Sequence, residues 1–380
     1  MDFKDLFKFM CFVLLFPLAS HTGEFEEQVN EMVWQQKASM EQADQLLGEK
    51  ARAVPIILPV SNPTVGTGLA GGALYMHGQD AGRTNKQTTM TGVFGMYTST
   101  ESWAFGGFHD GSYLNDRLRI RIPAAHGDFN LDFYGVGDNS PLRDDPIEYR
   151  AIGNLFVPEA SFELPIDNWY LGGQYRIIDI KTSFGSATLP DDIPGLNAHQ
   201  KTAGFGLVTM FDNRDSNLWP TRGSYLDVTA GLNGEYAGGD YNYFRLISKW
   251  AQYFSLNESL ILIYRLDGQY LEGTAPFWDL ARIRLRGFSS GQYLDNVAAT
   301  GQAELRWTPV QRWTLSAFGG AGRIADKISD MGSAPNNVAG GAGFRYMLVE
   351  DQKLSLGLDV AYTDDSDFVV YFQIGDWLAN

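Results

Sequence analysis

The residues that could do chemistry in this 380-residue chain are arginines and carboxylates rather than nucleophiles. Gly287-Phe-Ser289-Ser-Gly291 has the spacing of a nucleophile elbow, but no strand–turn–helix pattern frames it, so Ser289 lacks the strained turn that would present its hydroxyl. Gly66-x-Gly68-x-x-Gly71 satisfies the dinucleotide fingerprint, yet it runs straight into Ala73-Leu-Tyr75 with strand texture and no helix to receive a pyrophosphate. His21, His77, His109, His126 and His199 are scattered without metal-ligand spacing. The acidic pieces Arg143-Asp-Asp145, Asp191-Asp192 and Asp364-Asp-Ser-Asp367 read as solvated loop charge in preference to a Ca²⁺ or Mg²⁺ site. The one cysteine, Cys11, sits in an N-terminal apolar run, so thiolate metal sites, disulfides and cysteine nucleophiles are excluded from everything after it. The expectation is a protein that is not an enzyme and carries no metal or cofactor. What remains is opposite charge two residues apart, Arg265 with Asp267 and Glu304 with Arg306, which a strand would place on one face.

The elements must therefore be strands, and composition agrees. Lys and Arg number 29 against 45 Asp and Glu, a net charge of −16 that repels nucleic acid. Hydrophobic residues make up 44%, enough for a large folded body, and 42 glycines with 13% aromatics suit many short strands. Beyond the N-terminus no apolar run approaches the ~18 residues that a membrane helix needs.

Three segments are expected. Lys4 and Lys8 precede the short apolar run Phe9–Ala19, the pattern of a signal peptide over residues 1–20. Phe25, Val29, Val33, Met40, Ala43 and Leu47 recur at 3–4 residue spacing amid Glu and Gln, the texture of a short periplasmic helical segment over 21–54. From 55 to 380 the period is two. Leu260, Leu262, Tyr264 and Leu266 alternate with Arg265, Asp267 and Gln269; Ala299, Gly301, Ala303, Leu305 and Trp307 alternate with Thr300, Gln302, Glu304 and Arg306. Tyr225–Tyr236 and Lys353–Thr363 repeat the pattern.

A soluble sandwich also alternates, with its apolar face in the core. Here the polar faces carry paired charges at mid-strand, the apolar faces are rich in Gly and Ala, and Trp169, Trp250, Phe254, Trp307 and Trp313 sit at strand ends where an interfacial girdle belongs. The fold expected is all-β: a 16-stranded antiparallel transmembrane barrel with polar residues lining the lumen. Strand centres fall near residues 71, 92, 105, 121, 132, 156, 175, 206, 229, 248, 265, 302, 318, 343, 358 and 371. Short linkers such as Leu256–Ser259 and Val310–Arg312 become periplasmic turns, and 78–86, 138–147, 183–198, 272–296 and 325–337 become outer loops.

The stretch Phe211–Tyr225, with Asp212, Arg214, Asp215, Pro220 and Gly223, resembles the D-x-R-D…P-x-x-G periplasmic-turn motif of the BamA/TamA-like bacterial surface antigen superfamily. Leu285-Arg286-Gly287-Phe288 is similar to that family's (V/L)-R-G-(F/Y) motif at the tip of the sixth outer loop. The chain end, with Tyr371, Gly375 and Trp377, resembles its terminal-strand assembly signal. The resemblance covers roughly residues 55–380 and implies that the sixth loop folds into the lumen, where Arg286 meets acidic wall residues. Glu304, facing the lumen on the next strand, is one candidate partner. Where the family often has F-x-D-x-G, this chain has Phe318-Gly-Gly-Ala-Gly322, so the second partner must lie elsewhere, and Asp359 is the candidate. The family's assembly members carry POTRA domains that recruit clients, and the ~34 residues before the barrel are too few for one; the expectation is a POTRA-less member.

By resemblance the protein is expected in the outer membrane of a Gram-negative bacterium, a monomer in contact with lipid and lipopolysaccharide and possibly with client or partner outer-membrane proteins. Its expected role is in membrane insertion or translocation, through a weak seam between first and last strands. The alternatives are a passive outer-membrane channel and a surface-exposed structural protein.

Overall fold

A computed structural model describes residues 52–62, 64–78, 88–185, 193–196, 199–349, 353–364 and 368–374. The expected signal peptide and nearly all of the 21–54 segment lie outside these residues, as do Gly375 and Trp377. The strands are β1 (Arg52–Asn62), β2 (Gly66–Met76), β3 (Met90–Thr98), β4 (Trp103–Tyr113), β5 (Leu118–Phe133), β6 (Ile147–Phe156) and β7 (Glu159–Glu163). They continue with β8 (Trp169–Ser183), β9 (His199–Asp212), β10 (Gly223–Asn233), β11 (Tyr243–Asn257), β12 (Leu260–Gly273), and the two-residue pair β13 (Ala281–Arg282) and β14 (Leu294–Asp295). The last five are β15 (Val297–Val310), β16 (Trp313–Ala325), β17 (Asn337–Val349), β18 (Leu354–Thr363) and β19 (Phe368–Ile374). All but β13 and β14 belong to one antiparallel sheet of 17 strands in which sequence neighbours pair. The last strand returns beside the first, with Cα atoms of β1 and β19 within 8 Å.

Alternation places the charges as the sequence implies. Thr300, Gln302, Glu304 and Arg306 of β15 are buried toward the inside, while Leu305 and Trp307 are exposed outside. On β12, Arg265, Asp267 and Gln269 point inward and Tyr264 and Leu266 outward. A sheet that is apolar outside and charged inside satisfies its backbone within the ladder and its side chains against lipid.

β6 and β7 are one stave in two pieces, since both pair with β5 on one side and β8 on the other. The break is a proline effect. Pro123 of β5 has no N–H to give, its carbonyl accepts from Val157 N–H at 3.1 Å, and Pro158 interrupts the stave opposite it. Counted so, the sheet has sixteen staves, but not the sixteen expected. The centres near 121 and 132 are a single 16-residue strand, β5, because Pro123-Ala-Ala-His-Gly127 continues in the ladder rather than turning. The missing stave is β1, a strand with Pro55 and Pro59 on which no expected centre falls. It pairs with β2 along all eleven residues, so the absent donors of these two prolines, four residues apart and on one side, face away from β2 toward the last strand.

Two corrections follow. The Gly-rich segment Gly66–Met76 is the second stave and not the one beside the last strand. Adding β1 also reverses the first connections: β2 and β3 are joined at the end shared with the 258–259 and 311–312 turns, whereas 99–102 lies at the end where the connections after β5, β8, β12 and β16 leave the sheet. Thr88 N–H donating to Asn217 Oδ1 at 3.2 Å fixes this, because Asn217 belongs to the 213–222 connection at the turn end.

Candidate functional site

The sixth connection at the loop end, 274–296, enters the lumen instead of leaving it. Phe277 packs against Phe133, Tyr149 and Phe184, with ring centroids 4.9, 5.4 and 5.8 Å apart, and Leu280, Ile283, Leu285 and Phe288 continue the same apolar cluster. β13 and β14 pinch the segment into a hairpin whose tip holds Arg286 and Gly287. The sheet is shaped to receive it. A Cβ on Gly320 of β16 would lie 2.7 Å from Leu285 Cδ1 and 2.5 Å from the Gly301 carbonyl, so the bare glycine leaves room for a loop leucine. Gly287 adopts φ +119, and a Cβ there would meet Thr363 Cγ2 at 2.5 Å.

Arg286 is 2% exposed. Its Nη2 lies 2.5 Å from Glu304 Oε2 and its Nη1 2.8 Å from Asp359 Oδ2, while its guanidinium carbon stacks 3.5 Å above the Phe318 ring. Each carboxylate is shared. Glu304 also accepts from Arg306 Nε at 2.6 Å, and Asp359 from Arg345 Nη1 at 2.6 Å and Nη2 at 3.0 Å. Charges this deep persist only when every one is paired, and removing one partner of such a pair costs about 3–5 kcal/mol.

The same loop carries a second anchor of inverted sign, which sequence reading missed. Asp279, 3% exposed, receives Arg176 through Nη1 at 2.9 Å and Nη2 at 2.5 Å, the Tyr243 hydroxyl, and Arg245 at a looser 3.8 Å. An acidic loop residue thus docks on a basic wall built by β8 and β11, and a basic one on an acidic wall built by β15 and β18. The available signal was an aspartate between Trp278 and Leu280, in a stretch too apolar for a solvated loop.

The tip reaches both edges of the sheet. Ser290 N–H donates to Thr64 Oγ1 at 2.9 Å and Ser289 Oγ lies 3.2 Å from the same oxygen, just beyond β1; Gly287 N–H donates to the Tyr371 hydroxyl of β19 at 2.8 Å.

From the other end, the 213–222 connection also turns inward; it is a plug and not a free turn. Asp212 holds Arg214 by two hydrogen bonds at 2.8 and 3.0 Å and Arg119 at 2.8 Å, and Arg214 stacks 4.1 Å over Tyr225. Burial opposes the charge of Asp215, but the Thr221 hydroxyl and N–H and the Arg222 N–H donate to it and hold its carboxyl below the usual range. This clasp brings Pro220 inward and leads through Gly223 into β10. It drives Leu218 across the lumen into a cluster with Val54, Leu74, Met76, Met90 and Leu354, and sets Trp219 4.9 Å from the Arg306 guanidinium. The chain Asp359–Arg286–Glu304–Arg306–Trp219 therefore joins the two plugs. Leu218 and Trp219, large and apolar in a polar connector, were the sequence signal for it.

A family model described as the Omp85 superfamily domain matches residues 148–375. Among solved structures the chain is similar to BamA from Haemophilus ducreyi lacking POTRA domains 1-3, at a TM-score of 0.52 and 14% identity over 86% of this chain and 70% of that one. It is similar to CdiB from Escherichia coli at 0.55 and 12%, over 88% and 69%, and to CdiB from Acinetobacter baumannii at 0.52 and 13%, over 86% and 60%. At these identities the likeness is one of fold. No curated protein matches the chain in sequence.

Proposed function

Because the chain belongs to the Omp85 superfamily of outer-membrane barrels, we propose that it acts in membrane insertion or translocation at the outer membrane of a Gram-negative bacterium, by opening between its first and last strands. The carrying observation is the loop tip that hydrogen-bonds Thr64 beside β1 and Tyr371 on β19 at once, a latch across the closing edge. Pro55 and Pro59 support the reading, because a strand with two donors missing on one side makes a weak ladder there. Substrates entering such an edge are extended strands of client outer-membrane proteins, which pair with the backbone groups that opening leaves bare. A lumen plugged from both ends weighs against the passive channel.

The test locks the latch. Ser289 and Thr64 hydroxyls lie 3.2 Å apart, so Ser289→Cys with Thr64→Cys and Cys11→Ser positions two thiols for a disulfide. In proteoliposomes, the reduced protein should accelerate folding of an unfolded small outer-membrane barrel, the oxidised protein should not, and reductant should restore the rate. Equal rates in both redox states would reject the latch.

A further inference from the structure

The lumen is not polar all round. Leu74, Met76 and Met90 face inward against Leu218, and strand alternation puts Ile56, Leu58, Phe94 and Phe108 on that same face. Glycines opposite the rings keep the wall concave: Gly92 lies under Phe108 and Gly106 under Phe94, where a Cβ would come within 2.4 and 2.8 Å of the ring carbons. The result is a cavity of about 620 Å³, in the range of small-molecule sites, into which Phe94 remains 43% exposed. Large apolar side chains facing a wet lumen forgo about 1.5–3 kcal/mol each, so this wall calls for an apolar occupant.

The opposite rim of the cavity is cationic. Arg121, Arg214 and Lys249 line it, with Asp110 as the one carboxylate among the lining residues. Arg214 is held by Asp212, and Arg121 by Asp227 at 3.1 Å and Glu159 at 3.6 Å. Lys249 differs. Its ladder neighbours are Asp227 and Asp267, and both are already taken by Arg121 and by Arg265, the latter at 2.8 Å. Among the described residues Lys249 has no hydrogen bond or ion pair, and Arg284 adds a further positive charge nearby.

We propose that this cavity binds a long-chain fatty-acid anion, its alkyl chain along the Ile56–Phe108 wall and its carboxylate on Lys249. One chain fits the volume, and the ammonium supplies the charge complement that the protein leaves open. The proposal does not rest on the latch: the wall is carried by β1–β4 and the ammonium by β11, and its test reads ligand binding rather than client folding.

The experiment uses the full chain in phosphatidylcholine nanodiscs with doxyl-stearate as the probe. An immobilised spin-label component saturating at one per chain is expected, with the doxyl-labelled alcohol analogue binding at least roughly tenfold more weakly. Lys249→Gln should remove that preference, and Ala70→Trp, which fills the cavity, should remove the component; heat-modifiable migration checks that both variants fold. A photoreactive fatty acid on the unaltered protein should label Ile56, Phe94 or Phe108. Labelling confined to outward residues such as Leu69 and Tyr97, equal binding of acid and alcohol, or a cavity already filled by residues 21–51 of the chain and closed to the probe would each overturn the proposal.

Discussion

Arg286 illustrates how much a single guanidinium organises when it is buried. It bridges two carboxylates from strands three places apart in the sheet, and each carboxylate keeps a second arginine. In Arg286→Ala, Glu304 and Asp359 retain Arg306 and Arg345, so the wall survives and the loop tip alone is released, at a cost of about 3–5 kcal/mol. Protease added from the loop end should then cut within 279–295 much faster than in the parent; unchanged cleavage would show that the tip is held by its apolar contacts. A second residue-scale contrast separates two adjacent glycines. Gly320→Ala collides with Leu285 and a backbone carbonyl and should cost about 1–3 kcal/mol in urea unfolding, whereas Gly319→Ala, whose nearest neighbour would be 3.7 Å away, should change stability little. Glu304 and Asp359 were legible as partners of Arg286 from resemblance and strand parity. Asp279 was not, because its partners Arg176, Tyr243 and Arg245 lie 103, 36 and 34 residues away and no local pattern links them.

At the scale of elements, β1 is the strand whose sequence works against its role. Pro55 and Pro59 leave its ladder with β2 intact and withdraw two donors from the side facing β19. Pro55→Ala with Pro59→Ala should restore two ladder bonds at about 0.5–1.5 kcal/mol each, raising the thermal transition of the folded barrel while slowing its stimulation of client folding. A faster variant would mean that the edge does not open. The expected strand centres left β1 out and divided β5 in two, and both strands carry proline: proline statistics describe average strands, and ladder position decides whether a missing donor costs anything. The motif over 212–223 was legible as a motif, yet its inward course depends on the Asp215–Thr221 clasp and on a receiving pocket made by β1, β2, β3 and β18.

At the scale of the whole molecule, the described strands surround a lumen stoppered from both ends, with the stoppers joined by one ionic chain. Single-channel recording should accordingly find the intact barrel closed, and deletion of residues 279–295 alone should leave it largely closed. Adding Leu218→Ala and Trp219→Ala to the deletion should open a steady conductance. Opening by the loop deletion alone would show that the 213–222 plug does not seal. What the sequence determined by itself was the class of object: period-two alternation over some 320 residues, charges in pairs on one face and aromatics at strand ends permit a membrane-spanning antiparallel sheet and little else. Its motifs resemble those of the superfamily to which the chain belongs. The tertiary structure alone decided which segments are the closing strands, at which end β2 and β3 are joined, that 213–222 is a plug, and that one wall of the lumen is apolar. The reason is physical. Alternation is a local property that each strand writes into its own residues, whereas closure, plugging and lumen polarity depend on which distant strands a segment finally faces.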